Sequence, residues 1–440
     1  MRILLLDVYR DSVNYRISKD TNGSYGTGND YGDSLFAKFL KRISKRTNFW
    51  PPLYLMYTGA VLREQGHSIE YANKDAEYEA YDAIIMSSSI VCHESEIEAI
   101  RGMKDKNKVI VVGSFVTNNP KRYIDEGVNV IIGEPEFYFL EKKIEDLIKT
   151  KEMKDSVDSH TTNKLDLLPY PCWDLVTDFL AFSGSIKKKK CIPLLAERGC
   201  PYSCFNYCTY PLEQGRKPRA RTNENIVNEI KFWIDKLGVN EFIFRDPVFS
   251  IDRKKTLKLA ELIIKEELDI RFTIETHLNN LDYELSSKLK EAGMFFIQCG
   301  VESVDQDVLN DAKRFSLKKA DEVEKIEMLR GLGVKVMGMY ILGYESDTRE
   351  SCLATIEYAK KLNTNIAVFS IFTPYPGTPI FVSFKDRITA TKFEEYNQWN
   401  PVFKHDNLSK DDIRSLLTFA FDSYYLNIKW FFKNFIQQLI

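Results

Sequence analysis

The sequence lacks long apolar stretches. It has no uninterrupted run of about 18 apolar residues, the length a spanning helix needs, so no membrane-crossing segment is expected. It also lacks an excess of either charge: 61 lysines and arginines face 63 aspartates and glutamates, for a net charge of −2. Without a basic field, nonspecific nucleic-acid binding is not expected. The apolar part of MRILLLDVYRDS is too short for a secretory leader and reads as a first strand. No GxGxxG follows that strand, which argues against a dinucleotide site. Nor is this a disulfide framework: eight cysteines in 440 residues, three of them on one loop, fit a reducing, cytoplasmic compartment. At 44% hydrophobic residues, the chain is long enough for two or three domains with real cores.

What the sequence does have is concentrated in GCPYSCFNYC, residues 199–208. Cys200, Cys204 and Cys208 share one short loop behind Gly199, fed by a strand-like run from Ile192 to Leu195. Thiolates this close converge on a metal centre more readily than on disulfides. A closed zinc site wants four ligands, and a cubane cluster normally wants four cysteines. Three would leave one iron open to a small molecule. The other readings are a zinc knuckle with a distant fourth ligand, or plain buried thiols.

Residues 1–149 alternate strand and helix. Apolar runs at Ile3–Val8, Ser68–Ala72, Ala83–Met86, Val109–Val112 and Val128–Ile132 are separated by helical stretches at Pro52–Gln65, Glu94–Lys104, Lys121–Glu126 and Glu136–Ile148. Short buried strands between helices imply a Rossmann-like, doubly wound parallel sheet. Gly113 and Gly133 close two strands at the carboxyl edge, where backbone meets ligand. Residues 150–190 read as a polar linker ending in LPYPCWDL, with Cys172 a buried thiol or, alternatively, a cluster or cobalt ligand. The run Lys187–Lys190 reads as a solvated face, or as a dock for an acidic electron donor.

From 191 to 384 six strand–helix units follow, with strands at Ile192–Leu195, Glu241–Phe244, Phe272–Ile274, Phe295–Gln298, Val334–Tyr340 and Ile366–Ile371. The stripe Ile226, Ile230, Trp233 and Leu237 is typical of the helices between them. Six units rather than eight point to a partial (β/α)6 barrel of TIM type. Its strand ends carry polar residues: Arg245-Asp246, Glu275-Thr276-His277 and Gln298-Cys299-Gly300-Val301-Glu302. His277 is either a general base or a satisfied strand-end histidine, and Cys299 and Cys352 read as core. Residues 385–440 are rich in aromatics and read as a helical cap over the substrate entrance, with an amphipathic membrane contact as the other reading.

The cysteine loop resembles that of the radical S-adenosylmethionine (SAM) enzymes, whose spacing is CxxxCxxC. The second gap here holds Phe205, Asn206 and Tyr207, one residue more. The resemblance implies a [4Fe-4S] cluster on Cys200, Cys204 and Cys208, whose unique iron chelates SAM and whose electron cleaves it to a 5′-deoxyadenosyl radical. It implies that Tyr207 presents its backbone to the adenine. The string Gly300-Val301-Glu302-Ser303 would be the strand-four motif, with Glu302 on the ribose and Gln298 and Gly300 also at the cofactor, and Glu275 would lie near the amino group of SAM.

PPLYLMYTGAVLREQGHSIEY (51–71), VVGSFVTNNPKRYI (111–124), IIGEPE (131–136), QGRKPRARTNENIV (214–227) and TPYPGT (373–378) resemble the cobalamin-binding subfamily. That implies cobalamin at Gly113, Gly133 and Glu134. The domain has no DxHxxG, so no histidine is expected beneath the cobalt, and His67 reads as a surface residue. Tyr344 to Thr348 stand where the family often has Leu-Pro-Gly-Glu-Thr. Arg216, Lys217, Arg219 and Arg221 read as salt bridges across the barrel mouth, or as contacts to an anionic substrate.

The expected activity is methyl transfer to an unactivated carbon of a small-molecule or peptide-derived substrate, with electrons from a flavodoxin or ferredoxin. The alternatives are a cobalamin-bearing cyclase, oxidase or rearrangement enzyme, and a non-catalytic metal or cobalamin sensor.

Overall fold

The computed structural model describes residues 1–440 except 12, 46–49, 74–75, 149–152, 156–164, 177–189, 428–429 and 431–440. The first sheet contains β1 (Arg2–Leu6), β2 (Ser68–Ala72), β3 (Ala83–Ser87), β4 (Val109–Val112), β5 (Asn129–Ile132) and β6 (Met153–Asp155). The strands are all parallel, in the order β2-β1-β3-β4-β5-β6. Every residue of β3 and β4 is buried, as expected of strands covered on both faces. Alternation sorts them: Ile85 and Val112 pack toward the helix Leu53–Glu64, while Ile84, Met86 and Val111 pack with Phe115 and Tyr123.

Strand β6 lies inside the stretch expected to be a linker. A three-residue edge strand has no alternation to read, and its polar sequence, MKD, hides it. The expected helix 136–148 is two short helices, Pro135–Glu141 and Ile144–Leu147. The break falls where Gln65 donates to the carbonyls of Phe139 and Lys142. Cys172 is buried, its thiol directed at the carbonyl of Met56 at 3.1 Å and pushed up to about 12 by burial, so it is a core thiol. Of the lysine run only Lys190 lies within the described residues; it is exposed and caps the carbonyl of Leu237.

The second sheet contains β7 (Cys191–Leu194), β8 (Glu241–Phe244), β9 (Arg271–Glu275), β10 (Met294–Glu302), β11 (Lys335–Leu342) and β12 (Ile366–Ile371). They pair in sequence order, all parallel, and β7 does not pair with β12, so the sheet stays open. Residues from β8 and from β12 nevertheless border one cavity, so the sheet curls into part of a barrel. The helix Asn223–Leu237 shows how the outer layer forms. Thr222 caps its first turn, Gly238 ends it at φ +62°, and Ile226, Ile230 and Trp233 are buried against the sheet. The described part of the C-terminal cap is irregular up to Ser409 and then one helix, Lys410–Tyr425, whose Phe421 and Tyr424 meet Phe369 on β12.

Two features carried no sequence expectation. The chain after β1 forms a short hairpin (Ile17–Ser18 with Thr27–Gly28) and then a helix, Leu35–Ser44. The hairpin lies across the carboxyl edge of the first sheet. Its Lys19 is fully buried, with the ammonium 3.2 Å from Asp7 and 2.8 Å from Glu96.

Candidate active site

The cysteine loop is held at both ends. Glu197–Arg198 pairs antiparallel with Arg219–Ala220, and the next residue, Gly199, has φ +85°. A Cβ there would stand 2.3 Å from the carbonyl oxygen of Lys217, so both conformation and space require glycine. The extra residue is absorbed by a tight turn over Ser203–Asn206, in which Tyr207 and Cys208 both donate their amides to the carbonyl of Cys204.

Cys200, Cys204 and Cys208 border one cavity of about 180 Å³. Burial pushes the Cys200 thiol up to about 11. A hydrogen bond from Cys208, with the guanidinium of Arg314 at 3.7 Å, brings Cys204 down to about 6. Among the described residues no three His, Cys, Asp or Glu side chains stand where a single ion would bind them. Three thiols of one loop on one cavity are a donor set that fits a cubane with one iron left open.

The strand ends bring the expected acids to the same cavity. Alternation turns Gln298, Gly300 and Glu302 of β10 inward, and Glu275 of β9 faces them. Glu302 sits at a shift in the β10–β11 register with φ +68°, a strained position for a non-glycine residue. Its carboxylate is 3.4 Å from Arg314, which also donates to the carbonyl of Gly300 at 3.1 Å. A Cβ on Gly300 would meet Glu302 at 2.5 Å and Arg314 at 2.7 Å, so glycine is what lets the two charges approach. Glu275 accepts from the Tyr210 hydroxyl at 3.3 Å, and burial raises it to about 7. Tyr207 packs edge-on against Tyr344 and Phe372 in the wall.

His277 is not placed to act as a base. Its Nδ1 accepts the amide of Asn279 at 3.1 Å and its Nε2 meets the carbonyl of Phe315 at 3.2 Å; burial lowers it to about 4, so the ring is neutral. Three of the four basic residues are also committed. Arg219 pairs with Glu134, Arg221 with Glu229, and Arg216 stacks on Phe205. The unusual Tyr344–Thr348 turn is built on Asp347, which accepts the amides of Gly343 and Tyr344 at 2.9 Å each. Arg314 had no sequence signal. It lies in a loop, away from any strand end, and only the fold brings it to the cluster loop.

The residues expected to meet cobalamin stand at a seam between the two sheets. Gly113 has φ +112°, and a Cβ would lie 2.2 Å from the Tyr54 hydroxyl. Gly133 donates its amide to Thr117 at 3.0 Å. Glu134 is buried against Arg198 and Arg219. The seam leaves a cavity of about 40 Å³. In this conformation the Tyr54 hydroxyl stands over Gly113, and Arg198 and Arg219 cover Glu134. The larger space is inside the barrel, about 590 Å³, running from Gln298 and Glu275 down to Trp50, Trp399 and Trp430.

Residues 197–373 match the radical SAM superfamily. Over 436 residues the chain is 26% identical to an uncharacterized methyltransferase of Pyrococcus horikoshii, covering 90% of this chain and 92% of the relative. It is 25% identical over 381 residues to the bacteriochlorophyllide d C-8(2)-methyltransferase of Chlorobaculum tepidum, covering 81% and 82%. Its fold is similar to that of the radical SAM methyltransferase TsrM of Kitasatospora setae, solved with cobalamin and a [4Fe-4S] cluster bound. That likeness has a TM-score of 0.64 at 12% identity and covers 97% of this chain and 88% of the other.

Proposed function

We propose that the chain, whose residues 197–373 match the radical SAM superfamily, is a cobalamin-dependent radical SAM methyltransferase acting on carbon. The observation that carries the reading is the meeting of three thiols from one loop with two inward carboxyl groups, Glu275 and Glu302, at one cavity. The similarity to methyltransferases along nearly the whole chain supports methyl transfer over cyclisation or oxidation.

Bound at this loop, a [4Fe-4S] cluster supplies one-electron reduction of SAM. The chain's own residues hold and orient. Cys200, Cys204 and Cys208 are the proposed ligands, and Arg314 steadies the thiolate of Cys204. Glu302 is proposed to accept the ribose hydroxyls, and Gln298 with Gly300 lines the nucleoside's side of the cavity. The backbone at Tyr207 is proposed to face the adenine. Glu275, which carries a proton more readily than an exposed acid, is proposed to meet the amino group of SAM. The buried rings of Tyr344 and Phe372 keep water from the reacting space. Cobalamin is the proposed methyl carrier, supported by the fold shared with the cobalamin-bound methyltransferase. As it stands, Glu134 joins the two halves of the protein through Arg198 and Arg219. The electron donor is proposed to be a flavodoxin or ferredoxin.

Anaerobic turnover tests this. A methyltransferase of this kind should form S-adenosylhomocysteine and 5′-deoxyadenosine together and retain cobalt through gel filtration. The triple Cys200→Ala/Cys204→Ala/Cys208→Ala variant should lose its iron and stop making deoxyadenosine. Deoxyadenosine without S-adenosylhomocysteine would remove methyl transfer, and tightly bound zinc in place of iron would remove the radical reading.

A further inference from the structure

The helix Leu35–Ser44 places its largest apolar side chains in solvent. Leu35 is 86% exposed, Phe39 57% and Ile43 48%. Spaced four residues apart, they form one stripe along the helix. Lys38, Arg42 and Lys45 are exposed along the flank of that stripe, and the helix contains no acid. On the opposite face Ala37 is buried and Lys41 pairs with Asp30, so the helix is fixed to the protein by the side that does not carry the stripe. A chain of net charge −2 thus carries one basic helix with its apolar face turned outward. A helix of ten residues is too short to cross a bilayer, so its apolar face can meet one only in the plane of the interface.

The helix also borders the barrel cavity. Leu40 and Ile43 line the roughly 590 Å³ space, opposite Tyr425 and Trp430. Along the sheet, alternation turns Ile366 and Val368 of β12 and Met337 and Met339 of β11 into the same space. An apolar wall therefore runs along one side of the cavity, from the exposed helix toward Glu275 and Gln298, while Arg16, Asn29, Ser44 and Arg245 are among the polar groups that line the rest. Its volume suits a molecule of drug or lipid size.

We propose that the helix Leu35–Ser44 seats the protein on an anionic bilayer, and that the cavity behind it takes a lipid-soluble substrate from that bilayer. The substrate half rests on the radical methyltransferase reading; the docking half does not. Charge decides the kind of surface, because the basic residues beside the stripe complement anionic headgroups, while an uncharged apolar partner would leave them unused.

Flotation of the full-length protein with unilamellar vesicles tests the docking. It should float with phosphatidylcholine–phosphatidylglycerol vesicles, less with phosphatidylcholine alone, and less as salt rises. The Leu35→Ser/Phe39→Ser variant should weaken binding roughly tenfold or more. Lys38→Glu/Arg42→Glu should do the same on anionic vesicles only. Absence of flotation, or flotation unchanged in both variants, overturns the proposal. So does a vesicle-free dimer that Leu35→Ser/Phe39→Ser converts to monomer, since the stripe would then face a second copy.

For the cavity, vesicles are doped with N-phenyl-1-naphthylamine, a neutral ring probe. Energy transfer from the protein's tryptophans should appear and should fall in both Val368→Phe and Met337→Phe while flotation persists. Transfer that is absent, or unchanged in both variants, overturns the substrate half. Loss of retained cobalt in both variants would assign the space to the cofactor instead and overturn it as well. Iron content and deoxyadenosine formation, measured alongside, report on the radical reading separately.

Discussion

At the scale of single residues, one proton can be located by counting. The Ser114 hydroxyl lies 2.6 Å from the carbonyl oxygen of Gly23 and 2.5 Å from a carboxyl oxygen of Glu213. A carbonyl can only accept, so the one serine proton goes to Gly23, and Glu213 must bring its own proton to Ser114. Burial acts in the same direction and raises Glu213 to about 8. An acid whose pKa is raised in the folded state stabilises fully below its unfolded value, and that contribution is lost as pH rises toward the folded one. Between about pH 4.5 and 8 this group should lower stability by at most about 1.4 kcal/mol per pH unit. Glu213→Gln keeps a donor without a titration, so denaturant melts of the variant should show a shallower fall over that interval; an unchanged slope would place the proton elsewhere. Glu302 gives a second prediction. Its inward carboxylate and strained backbone mark a functional position. Glu302→Gln should weaken SAM binding roughly ten- to a hundred-fold, the worth of a charge-assisted hydrogen bond, with iron content unchanged. Equal affinity would make Glu302 a partner of Arg314 alone. Glu302 was legible in the sequence because a strand end names it; Arg314 and Ser114 were not, because their partners come from distant parts of the chain.

At the scale of elements, the parallel strands were legible because each is an apolar run between turn signals, and their observed bounds differ by only a few residues. The missed pieces share one property: their stability comes from a neighbour. Strand β6 is held by β5, and the hairpin Ile17–Gly28 by Lys19 beneath it and by the cluster loop beside it, where Thr209 donates to the carbonyl of Asn22 at 2.7 Å. The cluster loop lies between these cases. Its cysteines were plain, and its tight turn was not. Gly199 is the place to test it. Alanine there must adopt φ near +85° and clear the Lys217 carbonyl, a combination expected to cost about 1–3 kcal/mol of local strain or more. Gly199→Ala should therefore fold with reduced iron content and a lower melting temperature, whereas Gly238→Ala, whose Cβ would meet nothing, should lose stability without losing iron. Equal iron in both would detach the loop's shape from cluster binding.

At the scale of the whole molecule, the first sheet and the partial barrel are joined through charge taken out of water. Arg198, just ahead of the cluster loop, pairs with Glu134 and Glu136 from the end of β5, and Arg219 pairs with Glu134. All four side chains are nearly inaccessible, and Arg198 lies against the rings of Tyr57 and Phe137. Burial opposes ionisation of Glu134, and the two arginines overcome it and hold it below the usual carboxylate range; Glu136, with burial dominant, is raised. Such a network adds little net stability compared with well-packed apolar residues, but breaking one member strands the rest. Arg198→Met should leave two acids facing one arginine and destabilise the protein by about 3–5 kcal/mol. Because Arg198 adjoins Gly199 and Cys200, iron should be lost with it. Removing the stranded acids as well, in Arg198→Met/Glu134→Met/Glu136→Met, should recover a large part of the loss, since Arg219 still donates to the Gln214 carbonyl. Chemical denaturation and iron content of the two variants decide the matter. If the triple variant is no more stable than the single one, the seam is held by packing, and the charges at the carboxyl edge are there for a ligand rather than for the join.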